Sequence, residues 1–183
     1  MEKNKINSII LDCDDILLDY RKGFNTAYPG FENEHIYPKE KNLLFCKSKA
    51  FANLEPSEFA VEFVKALKSM GYKISIVTSV SYEKGVEEKR LENLANVFGP
   101  NTFDKIYVLG YFESKADALS KFPKSFFIDD MARNFIDSPH INIYKKKKVD
   151  NDAIPDGAIV NKTIVNLHEA LEFITNYEPS ASP

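Results

Sequence analysis

Short apolar runs alternate along this chain with segments that carry apolar residues at helical spacing. Five runs predict buried strands, at residues 9–11, 73–77, 105–109, 125–128 and 141–144. Five segments predict helices, at residues 56–70, 83–98, 114–121, 131–136 and 166–177. Because strands alternate with helices, we expect an α/β fold, a three-layer Rossmann-like parallel sheet with right-handed crossovers.

The alternation is interrupted once, after the first strand. Residues 19–53 contain no strand–helix unit but are rich in Tyr and Phe. We interpret them as a small, mostly helical cap, inserted into a core formed by residues 1–18 and 54–177. Most of its aromatic residues should pack together in a small core of their own, and one or two could face the cleft. The tail, residues 178–183, is small, polar and proline-containing, which predicts a flexible end.

Two carboxylates follow the first strand directly. Asp12 and Asp14 lie two residues apart, just after the apolar residues Ile9, Ile10 and Leu11. Ligands of open α/β sheets bind beyond the carboxyl ends of the strands. Charged groups at such a position are costly without a partner, so this pair predicts a bound cation and metal-assisted chemistry.

Further polar residues follow the other predicted strands. Thr78 comes after the second strand, Lys115 opens the helix after the third, and Asp129 and Asp130 end the fourth, with Asn134 one helical turn beyond. In a parallel sheet the carboxyl ends of the strands share one edge. Residues spread over more than half of the chain should therefore converge on one crevice.

In this order the residues resemble the four motifs of the haloacid dehalogenase-like superfamily. The matching pattern is Asp12-x-Asp14, then Thr78, then Lys115, then Asp129-Asp130-x-x-x-Asn134, over residues 9–134. The resemblance implies a phosphatase that hydrolyses a phosphate monoester through an aspartyl-phosphate intermediate. Phosphate esters react very slowly without help, and a carboxylate nucleophile divides the reaction into two easier steps.

The resemblance also implies a role for each residue that handles the substrate. Asp12 would be the nucleophile, and Asp14 the general acid for the leaving oxygen and then the general base for water. Thr78, Ser79 and Lys115 would bind the phosphate, with Lys115 as a compact positive charge.

The implied cofactor is Mg²⁺, which prefers oxygen ligands. Its ligands would be Asp12, the main-chain carbonyl of Asp14, and Asp130. Asp129 would belong to the same metal site and orient its neighbours, including Lys115, while Asn134 would support the outer shell.

Two residues depart from the usual first motif. Asp15 stands where most members have glycine, and Ile16 stands where threonine or valine is usual. Because isoleucine is apolar and β-branched like valine, we expect no more than a repacked turn.

Other activities remain open at this stage. The chain could be a non-catalytic binding or scaffold protein of the same fold, or a phosphotransferase or phosphomutase. Asp14 argues against a haloalkanoate dehalogenase, which does not need this acid. The small insertion and the short spacing from Lys115 to Asp129 resemble the 5′-nucleotidase branch, which includes deoxyribonucleotidases. A nucleotide is therefore one substrate hypothesis, with Tyr20, Phe24 or Tyr28 as candidates to stack on the base.

Composition limits the possible partners. The 183 residues carry a net charge of −3, which argues against binding to polymeric nucleic acid, so the expected partner is a small phosphorylated metabolite. The two cysteines suggest no disulfide framework, and Cys13 should be a small apolar filler. No segment resembles a signal peptide or a membrane span, so we expect a cytoplasmic protein, with the oligomeric state open. The basic run at residues 145–148 predicts an exposed loop or an anion-binding surface.

Overall fold

A parallel sheet of six strands, in the order β3-β2-β1-β4-β5-β6, forms the centre of the computed structural model. The structure describes residues 6–34, 36–147 and 153–178, so Lys148 and most of the predicted flexible tail lie outside the described residues. The strands are β1 Ser8–Leu11, β2 Lys73–Val80, β3 Lys105–Gly110, β4 Phe126–Asp129, β5 Ile141–Lys145 and β6 Lys162–Ile164. The predicted α/β fold and parallel sheet are confirmed.

Two strands differ from the prediction. β2 continues to Val80, so Thr78 lies inside this strand and does not follow it. The edge strand β6 was not predicted, because it has three residues of which two are exposed and therefore lacks an apolar run. β2 pairs with β3 as far as Val80 and Gly110, and this pairing accounts for its extra length.

Six α-helices accompany the strands in the described part of the chain. They are α1 Tyr20–Ala27, α2 Lys39–Lys47, α3 Ala60–Ser69, α4 Val86–Phe98, α5 Ala116–Leu119 and α6 Leu167–Thr175. α3 begins later than predicted because Phe59 takes a left-handed conformation, with φ of 65°. The helix predicted at residues 131–136 is a 3-10 helix, Ala132–Phe135.

Both faces of the sheet are covered, which produces the three layers. Ile9 and Leu11 of β1 belong to one apolar cluster with residues of α3, α4 and α6. Ile10 points to the opposite face and joins a smaller cluster with residues of α5 and the 3-10 helix Ala132–Phe135. The alternation of side chains along a strand explains why an unbroken apolar run serves both layers.

Residues 19–53 contain α1, α2 and a 3-10 helix, Phe51–Asn53. Their aromatic rings pack on one another, as in the pair Phe24 and Tyr37, whose ring centroids lie 3.8 Å apart. Asn93 of α4 joins this segment to the core, because its side chain accepts a bond from the Leu54 N–H at 3.2 Å and donates to the Leu54 carbonyl at 3.0 Å.

Over the residues described, we find no helix with both the length and the apolar character needed to cross a membrane.

Candidate active site

Three buried carboxylates meet where the chain changes direction across the sheet. β1 lies between β2 and β4, and the Asp12 N–H, just after β1, donates to the Ile128 carbonyl of β4 at 3.0 Å. This contact brings Asp12 beside Asp129 and Asp130 at the carboxyl edge. One carboxylate oxygen from each of the three lies within 4.8 Å of the others. The predicted convergence of these acids is therefore present.

Lys115 connects two of these acids. Its Nζ donates to Asp12 Oδ1 at 2.7 Å and to Asp129 Oδ2 at 2.7 Å. Burial alone would lower the pKa of Lys115, but the charges of Asp12 and Asp129 raise it above the usual value for lysine. Lys115 is therefore a permanent positive charge that fixes one oxygen of Asp12.

Asp129 is held by a complete set of donors. Its Oδ1 accepts from the Met131 N–H at 2.8 Å, and its Oδ2 accepts from Asn134 Nδ2 at 2.9 Å as well as from Lys115. Burial is the main cause that raises the pKa of Asp129. Asn134 thus orients Asp129, as its position one helical turn beyond suggested, and Asp129 in turn orients Lys115.

Asp130 pairs with a lysine that sequence reasoning did not identify. Lys147 Nζ lies 2.6 Å from Asp130 Oδ2. Burial raises the pKa of Asp130 well above its usual value, and Lys147 opposes that shift. The basic run at residues 145–148 was the available signal. Of its described members, Lys145 also turns toward the site and donates to the main-chain carbonyl of Asp15.

Asp14 pairs with Arg90, a second residue whose role was missed. Arg90 Nη2 donates to Asp14 Oδ1, and the guanidinium lies over the Phe51 ring at 4.5 Å from its centroid. The Arg90 side chain is 0% exposed, whereas that of Asp14 is 25% exposed. Burial raises the pKa of Asp14 to about 6, against the opposing effect of Arg90. An arginine on the inward stripe of a predicted helix was the signal for this buried pair.

The turn after Asp14 explains the departure from glycine. Asp15 has φ of 57°, a left-handed conformation that aspartate tolerates better than most residues. Its N–H donates to the Leu18 carbonyl at 2.8 Å, and its Oδ1 accepts from the Arg21 N–H at 2.9 Å. Ile16 is fully buried in the core. The turn is therefore stabilised by local hydrogen bonds in place of glycine.

Thr78 and Ser79 differ in their access to the site. Thr78 is 0% exposed, and its Oγ1 has no hydrogen-bond partner among the described residues. It lies near the thiol of Cys13, whose pKa is raised to about 12 by burial. Ser79 lines the cavity in front of the acids, whereas Thr78 does not. The structure thus brings Ser79, but not the Thr78 side chain, into the cavity, and leaves Cys13 as a neutral, buried thiol.

The cavity in front of the acids has a volume of about 650 Å³. Its cationic lining residues, apart from Lys115, are Arg21, Arg133 and Lys147, and its aromatic ones are Tyr20, Tyr37, Tyr111 and Phe112. Of the three aromatic residues proposed to stack on a base, Tyr20 lines the cavity. Phe24 is instead fully buried against Tyr37, and Tyr28 packs on Phe24 at 5.2 Å between ring centroids, so the assignment of these two to the site is not supported.

No protein-family model and no curated protein matches the chain, but solved structures do. A haloacid dehalogenase-like family hydrolase of Streptococcus pneumoniae is 15% identical, covers 92% of this chain and 98% of its own, and superposes with a TM-score of 0.68. The L-2-haloacid dehalogenase of Xanthobacter autotrophicus, with chloropropionic acid covalently bound, is 11% identical, with coverages of 95% and 100% and a TM-score of 0.66. The protein YfnB of Bacillus subtilis, bound to magnesium, is 12% identical, with coverages of 93% and 99% and a TM-score of 0.62.

These neighbours define the class of structure. The chain has the fold of the haloacid dehalogenase-like hydrolases, as its four motifs predicted. Assignment to the 5′-nucleotidase branch stays a prediction.

Proposed function

We propose that this chain is a magnesium-dependent phosphatase that hydrolyses a phosphate monoester through an aspartyl-phosphate on Asp12. The observation that carries the proposal is the position of the Asp12 carboxylate. Lys115 holds one of its oxygens at 2.7 Å, two further acids lie beside it, and Asp14 lines the same cavity. This set combines a nucleophile, a fixed cation and an acid–base group.

The donor set suits Mg²⁺. All candidate ligands are oxygens, and the three carboxylates are buried and close enough to share one ion. Asp12, Asp130 and the main-chain carbonyl of Asp14 would hold it, whereas Asp129 already accepts three hydrogen bonds. When bound, the ion neutralises the repulsion between the carboxylates and the incoming phosphate.

The chain's own residues then account for both steps. The Asp12 oxygen not held by Lys115 attacks phosphorus, the ester P–O bond breaks, and Asp14 donates its proton to the leaving oxygen. Asp14 then accepts a proton from water, which attacks the aspartyl-phosphate and releases inorganic phosphate and free Asp12. A pKa of about 6 lets Asp14 exchange a proton in both directions near neutral pH.

Contacts to the phosphoryl oxygens come from the residues at the base of the cavity. Lys115 and Ser79 are the candidates, with Lys147 and the exposed Arg133 at the cavity wall. Positive charge in a recessed site stabilises a phosphoryl group more than it would in open water.

The dehalogenase neighbours make a carbon–halogen substrate the competing hypothesis. Asp14 favours the phosphatase, since displacement of a halide ion requires no proton donor. A scaffold protein and a phosphotransferase share the same residues, and turnover with water as acceptor separates the phosphatase from both. Among phosphate esters we propose nucleoside monophosphates for the first substrate panel.

The test is hydrolysis of p-nitrophenyl phosphate with Mg²⁺, with EDTA, and by Asp12→Asn. We expect activity that needs both the metal and Asp12, while Asp117→Asn, an exposed acid on α5, serves as the matched control and retains activity. Release of chloride from 2-chloropropionate without metal would instead support the dehalogenase. Binding of Mg²⁺ without turnover of any phosphate ester in the panel would support the scaffold.

A further inference from the structure

A second cavity, of about 660 Å³, opens beside the catalytic one. Asn42, Tyr111 and Phe112 line both cavities, so the two are continuous at this shared wall. The second cavity is lined mainly by apolar surface, in contrast to the charged catalytic cavity. Its size lies within the range of pockets that enclose small organic ligands, about 300–1,000 Å³.

Two exposed aromatic rings form one side of this groove. Tyr82 and Phe112 stack with ring centroids 6.3 Å apart and an interplanar angle of 17°. They are 60% and 86% exposed. Large apolar side chains that are exposed together, next to a cavity, are typical of a binding surface.

The chain fixes the position of the Tyr82 ring. This ring lies on the backbone of Gly110, where an added Cβ would be 1.9 Å from the ring. Gly110 is itself held by a turn, since its N–H donates to Glu113 Oε2 at 3.0 Å and its carbonyl accepts from the Glu113 N–H at 3.0 Å. The absence of a side chain at Gly110 therefore admits the ring, and the turn holds it in place.

The opposite side of the groove comes from α2. Leu43 supplies an apolar surface there, and Asn42 Nδ2 donates to the Tyr111 hydroxyl at 3.4 Å. The Tyr111 hydroxyl also lies 3.4 Å from Cys46 Sγ. These contacts connect α2 to the segment after β3, so both walls have defined positions.

We propose that this groove binds the leaving group of the substrate and selects a planar aromatic one. The inference rests on the proposed function for the position of the phosphate, which would lie at Asp12 and Lys115. Since the groove continues from that cavity, the group esterified to the phosphate extends toward Tyr82 and Phe112. Stacked aromatic rings favour a flat, apolar ligand over a small aliphatic one.

The test compares two non-hydrolysable probes, benzylphosphonate and ethylphosphonate, by calorimetry in the presence of Mg²⁺. We expect benzylphosphonate to bind about tenfold more tightly, the size of effect that one aromatic stacking contact provides. This preference should fall to about twofold or less in Phe112→Ala and in Tyr82→Ala. Leu44→Ala removes a side chain that is also exposed, at 59%, but lines neither cavity, and it should keep the full preference.

Each outcome discriminates. Equal affinity for the two probes, no binding of benzylphosphonate, or a preference that survives in both variants overturns the inference. Aromatic variants that only change the sedimentation coefficient would assign the groove to contact between two copies of the chain, which also overturns it. A preference that depends on Phe112 in a protein that hydrolyses no ester would uphold the groove and reject the phosphatase.

Discussion

The buried guanidinium of Arg90 on α4 pairs with the carboxylate of Asp14, the residue placed to serve as general acid. Arg90 is in turn packed against Phe51 from the segment after α2. Its Nε and Nη1 have no hydrogen-bond partners among the described residues. Nearly all of the polar stabilisation of this buried arginine thus comes from Asp14, and Asp14 is restrained to one orientation.

Loss of Arg90 should impair catalysis through Asp14. We expect Arg90→Gln to lower kcat for phenyl phosphate, a poor leaving group, by about tenfold or more, because general acid catalysis contributes about 10²–10⁴-fold. In an Asp14→Asn background the same change should cause no further loss. A double-mutant cycle measures this coupling, and additive losses would show that Arg90 acts by another route.

Loss of Asp14 should also destabilise the fold. Asp14→Asn leaves the Arg90 charge buried without a counter-ion, which costs about 3 kcal/mol, the lower end of the range because Asp14 is 25% exposed. Urea unfolding at neutral pH without metal measures the change. Asp117→Asn is the control and should unfold at the wild-type midpoint. A wild-type midpoint for Asp14→Asn would mean that the ion pair contributes no stability.

Activity should depend on the protonation of Asp14. Because burial raises its pKa to about 6, the protonated acid is available below that pH and is lost as the pH rises through it. For phenyl phosphate, kcat/KM should therefore fall by about tenfold per unit above about pH 6. The limb should be weaker for p-nitrophenyl phosphate and absent in Asp14→Asn. An identical limb in that variant would assign the titration to another group.

The sequence predicted the acids and Lys115 well because parallel topology leaves little freedom at the ends of β1 and β4. Arg90 and Lys147 were harder to predict, because their roles depend on packing between elements far apart in sequence. Tyr37 and Phe112 illustrate the same limit, since alternation of apolar and polar residues does not tell which rings reach a cavity.

Asp130 should control the response to magnesium. Mg²⁺ at about 100 times its dissociation constant stabilises a native protein by about 2.7 kcal/mol, so the wild-type Tm should rise with Mg²⁺. In Asp130→Asn the metal-free Tm should be at least that of the wild type, since one of three mutually repelling buried acids is removed, while the rise with Mg²⁺ should need far more metal. Thermal unfolding over a magnesium series measures both. An unchanged magnesium midpoint would move the metal site away from Asp130.

Thr78 and Ser79 offer a direct test of which hydroxyl binds the phosphate. Replacement of a buried, unpaired hydroxyl by a methyl group costs little, so Thr78→Val should retain the wild-type stability and KM. Ser79→Ala removes a donor from the cavity wall and should raise KM by about tenfold, the effect of one hydrogen bond to a charged group at about 1.5 kcal/mol. The contrast follows from the two-residue repeat of a strand, which turns neighbouring side chains to opposite faces. The reverse result, a raised KM in Thr78→Val alone, would mean that the end of β2 rearranges when phosphate binds and would restore the role assigned to Thr78 by its motif.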